Sequence, residues 1–192
     1  MKSINKSNIT AVILSGGQGL RMNHQDKGLI PFNGKPMIAY IVDAIKPKVG
    51  RLLISANRNI NKYQDYGEVI TDDLSNFQGP LAGITKAISV TTTSYLLVLP
   101  CDTPFVTQAT IQRLIDAMSN NDIDICTATD GTRIHPTISL IKTQLKGNLS
   151  DFLNSNKRKL GLWIQQNNTL EVDFSDCPEV LINFNNSEDM IV

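Results

Sequence analysis

Three short runs, ITAVIL at residues 9–14, RLLISA at 51–56 and SYLLVLP at 94–100, constrain the fold of this chain more than any other feature. They lack the polar–apolar alternation of a half-exposed strand, so each reads as a strand buried on both faces. The segments between them are helical in pattern. PMIAYIVDAI (36–45) and GPLAGITKAISV (79–90) carry a proline suited to the first helical turn. TQATIQRLIDAMSN (107–120) sets Ile111, Leu114, Ile115 and Met118 on one face. NINKYQDYG (59–67) predicts a helix closed by Gly67, and EVIT (68–71) a short strand. Strands buried on both faces, each followed by a helix, imply an α/β, three-layer, mostly parallel Rossmann-like sheet.

After Asn120 the rhythm changes. DIDICTATD and IHPTISL predict two strands joined across Asp130–Gly131, which is good turn chemistry. Helices follow near 144–154 and 160–166, and strands near LEVDF (170–174) and LINF (181–184). At 192 residues and 41% hydrophobic, the chain is expected to form one domain over 9–192, with residues 1–8 as a loose polar tail.

Charge and cysteine usage exclude several function classes. Lys+Arg and Asp+Glu are both 18, without the basic excess of a protein that holds nucleic acid by bulk charge. A small local cation cluster facing a phosphorylated metabolite stays open. Three scattered cysteines, no C-x-x-C and two histidines argue against a zinc site, and free thiols fit a cytoplasmic location. MKSINKSN lacks the apolar stretch of a signal peptide, and no apolar run nears the ~20 residues that span a bilayer. Neither nucleic acid nor membrane is an expected partner.

The loop after the first strand, LSGGQGLRMNHQDKG, joins flexible backbone to positive charge. Gly16, Gly17 and Gly19 allow several N–H groups to converge on one anion, and Arg21 and Lys27 supply charge-assisted bonds to phosphate oxygens. In open parallel sheets ligands bind beyond the carboxyl ends of the strands, where this loop lies. The P-loop pattern fails, because Lys27 precedes Gly28 and no hydroxyl residue follows. The dinucleotide pattern fails too: Met22 stands where its third glycine belongs, and the second strand ends in SANR rather than an acid.

The spacing L-x-G-G-x-x-x-R-M-x(4)-K, followed by NGKP, resembles the signature of nucleotidyltransferases. SANR (55–58), GPLAG (79–83), PCDTP (100–104), HPTISL (135–140) and NFNN (183–186) extend the likeness, in order, to the molybdenum cofactor guanylyltransferase (MobA) family. The resemblance implies transfer of GMP from Mg-GTP to the terminal phosphate of the molybdopterin cofactor. GTP and that cofactor would be the substrates and Mg²⁺ the metal. Upstream cofactor-insertion enzymes and downstream molybdoenzyme chaperones are the protein partners it suggests. A CTP-dependent relative, a sugar-phosphate nucleotidyltransferase and a nucleotide- or pterin-binding carrier without turnover are the alternatives. Residues 9–120 would bind the nucleotide and 121–192 the acceptor.

By the same resemblance, Leu14, Ser15, Gly16, Gly17, Lys27, Ser55, Asp72 and Asp102 contact GTP, and Lys27, Arg21 and Asp102 carry the catalysis. Asp102 is the expected metal ligand: Mg²⁺ takes one or two carboxylates together with waters and phosphate oxygens. CDTP is equally good Asx-turn chemistry, and both readings are compatible. Asp73 is the register alternative to Asp72. Ser55 stands where the family commonly has asparagine, so its contact is lost, water-mediated or taken over by Asn57. Gly79, Pro80 and Gly83 open a helix where a planar base can approach, or where a helix packs closely on the sheet. Asn183, Asn185 and His135 are candidate acceptor contacts, with Asn185 or Asn186 alternatively a helix cap. Arg133, Lys157 and Arg158 are candidate contacts for the acceptor's phosphate or, the favoured reading, solvated surface, and Trp163 reads as core.

Overall fold

The computed structural model describes residues 3–16, 26–71 and 79–184. Six strands run one way in a seven-stranded sheet and one runs against them. The strands are β1 (Ile9–Leu14), β4 (Arg51–Ser55), β5 (Glu68–Ile70), β6 (Tyr95–Pro100), β7 (Ile125–Thr129), β8 (Ile134–Lys142) and β9 (Thr169–Asp173), in the order β5-β4-β1-β6-β8-β7-β9. Only β8 is antiparallel to its neighbours. The two residues of β2 (Pro31–Phe32) and of β3 (Lys35–Pro36) form a separate small hairpin.

Two-sided burial explains the strand sequences. In β1, Ala11 and Ile13 face a core with α1 (Met37–Ile45) and α4 (Gln108–Asn120). Val12 faces the opposite core with α3 (Pro80–Val90), α5 (Lys146–Asn154) and α6 (Leu160–Gln165). Each large aliphatic side chain removed from water in this way contributes about 1.5–3 kcal/mol. Trp163 is fully buried in the second core, its indole N–H donating to Asn148 at 2.7 Å. The first turn of α4 is capped reciprocally: Thr107 Oγ1 accepts from the Thr110 N–H, and Thr110 Oγ1 from the Thr107 N–H.

Three local expectations are corrected. The segment after β4 forms only the four-residue α2 (Ile60–Tyr63). Gly67 is not a left-handed cap; a Cβ there would lie 3.2 Å from the Leu52 side chain and carbonyl, so close packing on the sheet explains the glycine. Pro36 caps α1 instead of entering its first turn. LINF is no strand: a 3-10 turn covers Pro178–Leu181, and residues 182–184 leave the sheet to cross the end of β6.

The expected hairpin at 130–133 is present, with Gly131 at φ +86°. Its register is not regular. Thr127 pairs with Ser139 but the next residue, Ala128, pairs with His135, so residues 136–138 of β8 bulge out of the ladder. Pro136 cannot donate to a ladder and suits such a bulge. Ser139 Oγ braces it, at 2.9 Å from both Thr127 Oγ1 and the Pro136 carbonyl. At the other end of the chain, Lys6–Asn8 forms a 3-10 turn and Ile4 packs against the first core. Among the described residues no helix is long and apolar enough to cross a membrane.

Candidate active site

The chain runs outward from β1 to β4 and β5, then returns to place β6 on the other side of β1. Strand order therefore reverses at β1, the position where open α/β sheets form a ligand crevice. The strands end level: Leu14 is in register with Ser55 on one side and Pro100 on the other. The backbone stays joined just past these ends, where the Ser15 N–H donates to the Ser55 carbonyl at 2.8 Å and the Cys101 N–H to the Leu14 carbonyl at 3.2 Å.

A cavity of about 290 Å³ opens above them. Leu14, Ser15, Gly16, Ser55, Cys101 and Asp102 line it from the strand ends, and Asp26 and Lys27 from the following segment. Gly79, Pro80 and Gly83 contribute from α3, Thr137 from the β8 bulge, and Asn183 from the crossing segment. The bulge is what turns a residue of the second half into this wall. Gly79 holds φ +64°, ψ −153°, a conformation closed to other residues, as α3 begins. Gly83 is required by contact: a Cβ there would meet Ser55 Oγ at 2.5 Å and Leu14 Cδ2 at 2.9 Å.

The charged centre is Asp102, whose side chain is only 12% exposed. Lys27 Nζ lies 3.2 Å from Oδ2, and Asn183 Nδ2 donates to Oδ1 at 3.0 Å. The Phe184 N–H donates to the Asp102 carbonyl at 2.9 Å. Phe184 is itself buried among Phe32, Phe105 and Met37, with its ring 5.0 Å from that of Phe32 and 5.5 Å from that of Phe105. The aromatic cluster thus fixes the crossing segment, and the crossing segment fixes Asp102.

The neighbouring thiol and phenol are neutral. Burial, foremost, pushes the Cys101 thiol up to about 12, so it stays protonated beside Asp102. Burial likewise raises Tyr63 far above the ordinary phenol range. Ser15 Oγ is buried close to Tyr63 and Cys101 but is in hydrogen-bond geometry with no partner among the described residues. No group of three or more His, Cys, Asp or Glu gathers among the described residues. A hard carboxylate facing an open cavity, as Asp102 does, suits Mg²⁺, which draws its remaining ligands from water and phosphate.

Leu14, Ser15, Gly16, Lys27, Ser55, Asp102 and Asn183 are thus brought together. Gly17, Arg21, Asp72, Asp73, Asn185 and Asn186 lie outside the described residues. His135 is not in the cavity wall: its Nε2 is 3.0 Å from Asp130 Oδ2 at the hairpin. Asp130 also accepts from the Thr132 hydroxyl and the backbone N–H groups of Thr132 and Arg133, which hold its carboxyl well below the usual range. Arg133 is largely exposed, and Arg158 bonds the Leu153 and Lys157 carbonyls. Sequence reasoning missed Asp26 and Thr137. For Asp26 a signal existed, since it directly precedes Lys27; for Thr137 only His-Pro hinted at an irregular strand.

Residues 11–170 match the MobA-like NTP transferase domain. The chain belongs to this family. The molybdenum cofactor guanylyltransferase of Shewanella loihica is 41% identical over 181 residues, covering 94% of this chain and 92% of the relative. The protein of the same name from Shewanella putrefaciens is 40% identical over 182 residues, covering 94% and 93%. In fold, the chain is similar to the molybdopterin-guanine dinucleotide biosynthesis protein A of Archaeoglobus fulgidus, at a TM-score of 0.76 and 18% identity over 94% of both chains. A 4-diphosphocytidyl-2C-methyl-D-erythritol synthase from Anaerococcus prevotii shares the fold at a TM-score of 0.73 and 12% identity, covering 97% and 94%. The family's α/β architecture, mostly parallel with helices on both faces, is the one described above.

Proposed function

We propose that this MobA-like nucleotidyltransferase transfers GMP from GTP to the terminal phosphate of the molybdenum–molybdopterin cofactor. A phosphate oxygen of the acceptor attacks the α-phosphorus of GTP, the bond to the bridging oxygen breaks, and pyrophosphate leaves. The observation that carries the reading is the Lys27–Asp102 pair, set beyond the level ends of β1, β4 and β6 in the wall of the cavity there. Both reactants are anions and the nucleophile is already ionised, so the residues act by positioning and by offsetting charge, with no general base. Lys27 neutralises triphosphate oxygens. Ser15 and Gly16, with Gly17 and Arg21 of the same loop, hold phosphate from the β1 side. Ser55 and Asp72 contact the nucleoside portion, and Gly83 keeps the floor beneath it open.

Asp102 would hold Mg²⁺, which when bound supplies further positive charge at the phosphate oxygens. Residues 9–120 form the nucleotide half and 121–192 the acceptor half, with His135 and Asn185 as acceptor contacts. Asn183 belongs to the acceptor half yet bonds Asp102, linking the two. A cytoplasmic location, and exchange of the cofactor with upstream insertion enzymes and downstream chaperones, complete the proposal.

The test is incubation of the purified chain with molybdopterin cofactor, Mg²⁺ and GTP, CTP or ATP in turn, following pyrophosphate and the dinucleotide product. Pyrophosphate release with GTP alone is expected. Equal turnover with CTP would replace the guanylyl reading with the cytidylyl one, and tight GTP binding without pyrophosphate would leave a carrier.

A further inference from the structure

Asp26 immediately precedes Lys27 and is almost fully buried, although it touches the cavity. Its carboxylate is held from α2 and the residue before it. The Tyr63 hydroxyl donates to Oδ1, and Asn59 Nδ2 donates to Oδ2 at 3.2 Å. Tyr63 is completely buried. Asn59 takes φ +50°, and from that left-handed position its carbonyl accepts the Lys62 and Tyr63 N–H groups that start the helix. On the other side of Lys27, Gly28 passes between Tyr63 and the Asp102 segment. A Cβ at Gly28 would lie 2.8 Å from the Tyr63 hydroxyl oxygen and 3.2 Å from Cys101 Cβ. The Asp26 carbonyl, meanwhile, accepts the Leu29 N–H at 3.0 Å and closes the 3-10 turn Lys27–Leu29.

From this geometry we infer that Tyr63, Asn59 and Asp26 form a buried strut that positions Lys27 against Asp102. They are positioning residues for the transfer, acting through Lys27. The inference rests on the assignment of Lys27 to the triphosphate. The strut grips both residues flanking Lys27, so the backbone from which the flexible lysine side chain reaches out is fixed before the nucleotide arrives. A carboxylate bonded at both oxygens is also kept from competing with Asp102 for the ammonium. The gain is preorganisation: a displacement of about 1 Å at a group that offsets developing charge costs up to ~100-fold in rate.

The test is a pair of double-mutant cycles on the full chain, measuring kcat and KM for GTP with magnesium and the acceptor. Tyr63→Phe deletes one hydroxyl while the ring still fills its site. Asn59→Gly deletes the amide while keeping the left-handed backbone, and serves if the phenylalanine variant folds poorly. Each is made alone and together with Lys27→Ala. The strut requires a kcat loss on the order of tenfold for Tyr63→Phe, less for Asn59→Gly, a nearly constant KM, and almost no further loss once Lys27 is alanine. The same fractional loss in both backgrounds, or none in the parent, overturns it while leaving Lys27 in place. Unchanged turnover in Lys27→Ala alone overturns the Lys27 assignment and the strut with it.

Discussion

Lys27 and Asn183, 156 positions apart by their numbers, meet on the two oxygens of one carboxylate: Asp102 takes the ammonium at 3.2 Å on Oδ2 and the amide at 3.0 Å on Oδ1. One partner comes from the segment after β1 and the other from the segment that leaves the sheet after β9. A carboxylate has about four lone-pair sites, so these two bonds set its orientation and still leave it able to ligate a cation. The arrangement makes Asp102 the point where the segment after β1 and the segment after β9 meet.

Replacing Asp102 with asparagine keeps the shape but removes the charge, and its single amide oxygen can accept from only one of Lys27 and Asn183. Turnover is expected to fall on the order of 100-fold or more, the scale lost when a charge-stabilising group is removed. Thermal stability should shift little, because Lys27 is 26% exposed and can regain water. Magnesium-dependent kinetics and a thermal melt on the same preparation check it; near-parental turnover would remove Asp102 as the metal ligand.

Asn183→Ala separates orientation from charge. With its Oδ1 partner gone, Asp102 is free to turn, and the magnesium concentration giving half-maximal rate is expected to rise several-fold, as for loss of a group that orients a metal ligand. A magnesium titration at saturating GTP reads this directly. If instead only the KM for the acceptor changes, Asn183 serves the pterin and its bond to Asp102 is incidental.

Gly83→Ala places a methyl group 2.5 Å from Ser55 Oγ, 2.9 Å from Leu14 Cδ2 and 3.1 Å from Ser55 Cβ. Overpacking of this kind costs about 1–3 kcal/mol. GTP affinity should fall further than stability alone explains, because α3 must shift where it lines the cavity. Calorimetric GTP binding beside a denaturant melt compares the two.

The buried thiols set a pH dependence. Burial raises Cys126 from 9.0 to about 12. In the unfolded chain this thiol ionises from about pH 9, while the native state keeps its proton to about pH 12. The unfolded state therefore binds fewer protons in that window, and native stability declines as pH rises through it. Cys101 and Tyr63 act in the same direction. The melting temperature should drop between pH 8 and 10.5, and the drop should be smaller in Cys126→Ala. An equal drop in both would show that this thiol is not the cause.

Much of the fold was legible because its signals are local. Runs buried on both faces announce β1, β4 and β6, and one-sided helical spacing announces α4, whatever else the chain does. The failures come where distant contacts outweigh local pattern. LINF is apolar enough for a strand, but Phe184 finds a better site among Phe32, Phe105 and Met37 and carries Asn183 to Asp102. Gly67 looks like a helix terminator, yet its φ is not left-handed and a Cβ there would crowd Leu52 at 3.2 Å. HPTISL reads as one strand, yet its register breaks so that Thr137 faces the cavity.

What this sequence determined by itself is the layered α/β scheme and the place of Lys27 and Asp102 just past buried strands, since periodicity and turn chemistry depend on near neighbours. Only the tertiary structure decided that Asp26 is tied to Tyr63, that Asn183 faces Asp102 and that His135 belongs to Asp130. Those pairings join residues far apart in the chain or turned by a break in register, and no local pattern encodes which polar group a folded chain brings within 3 Å of another.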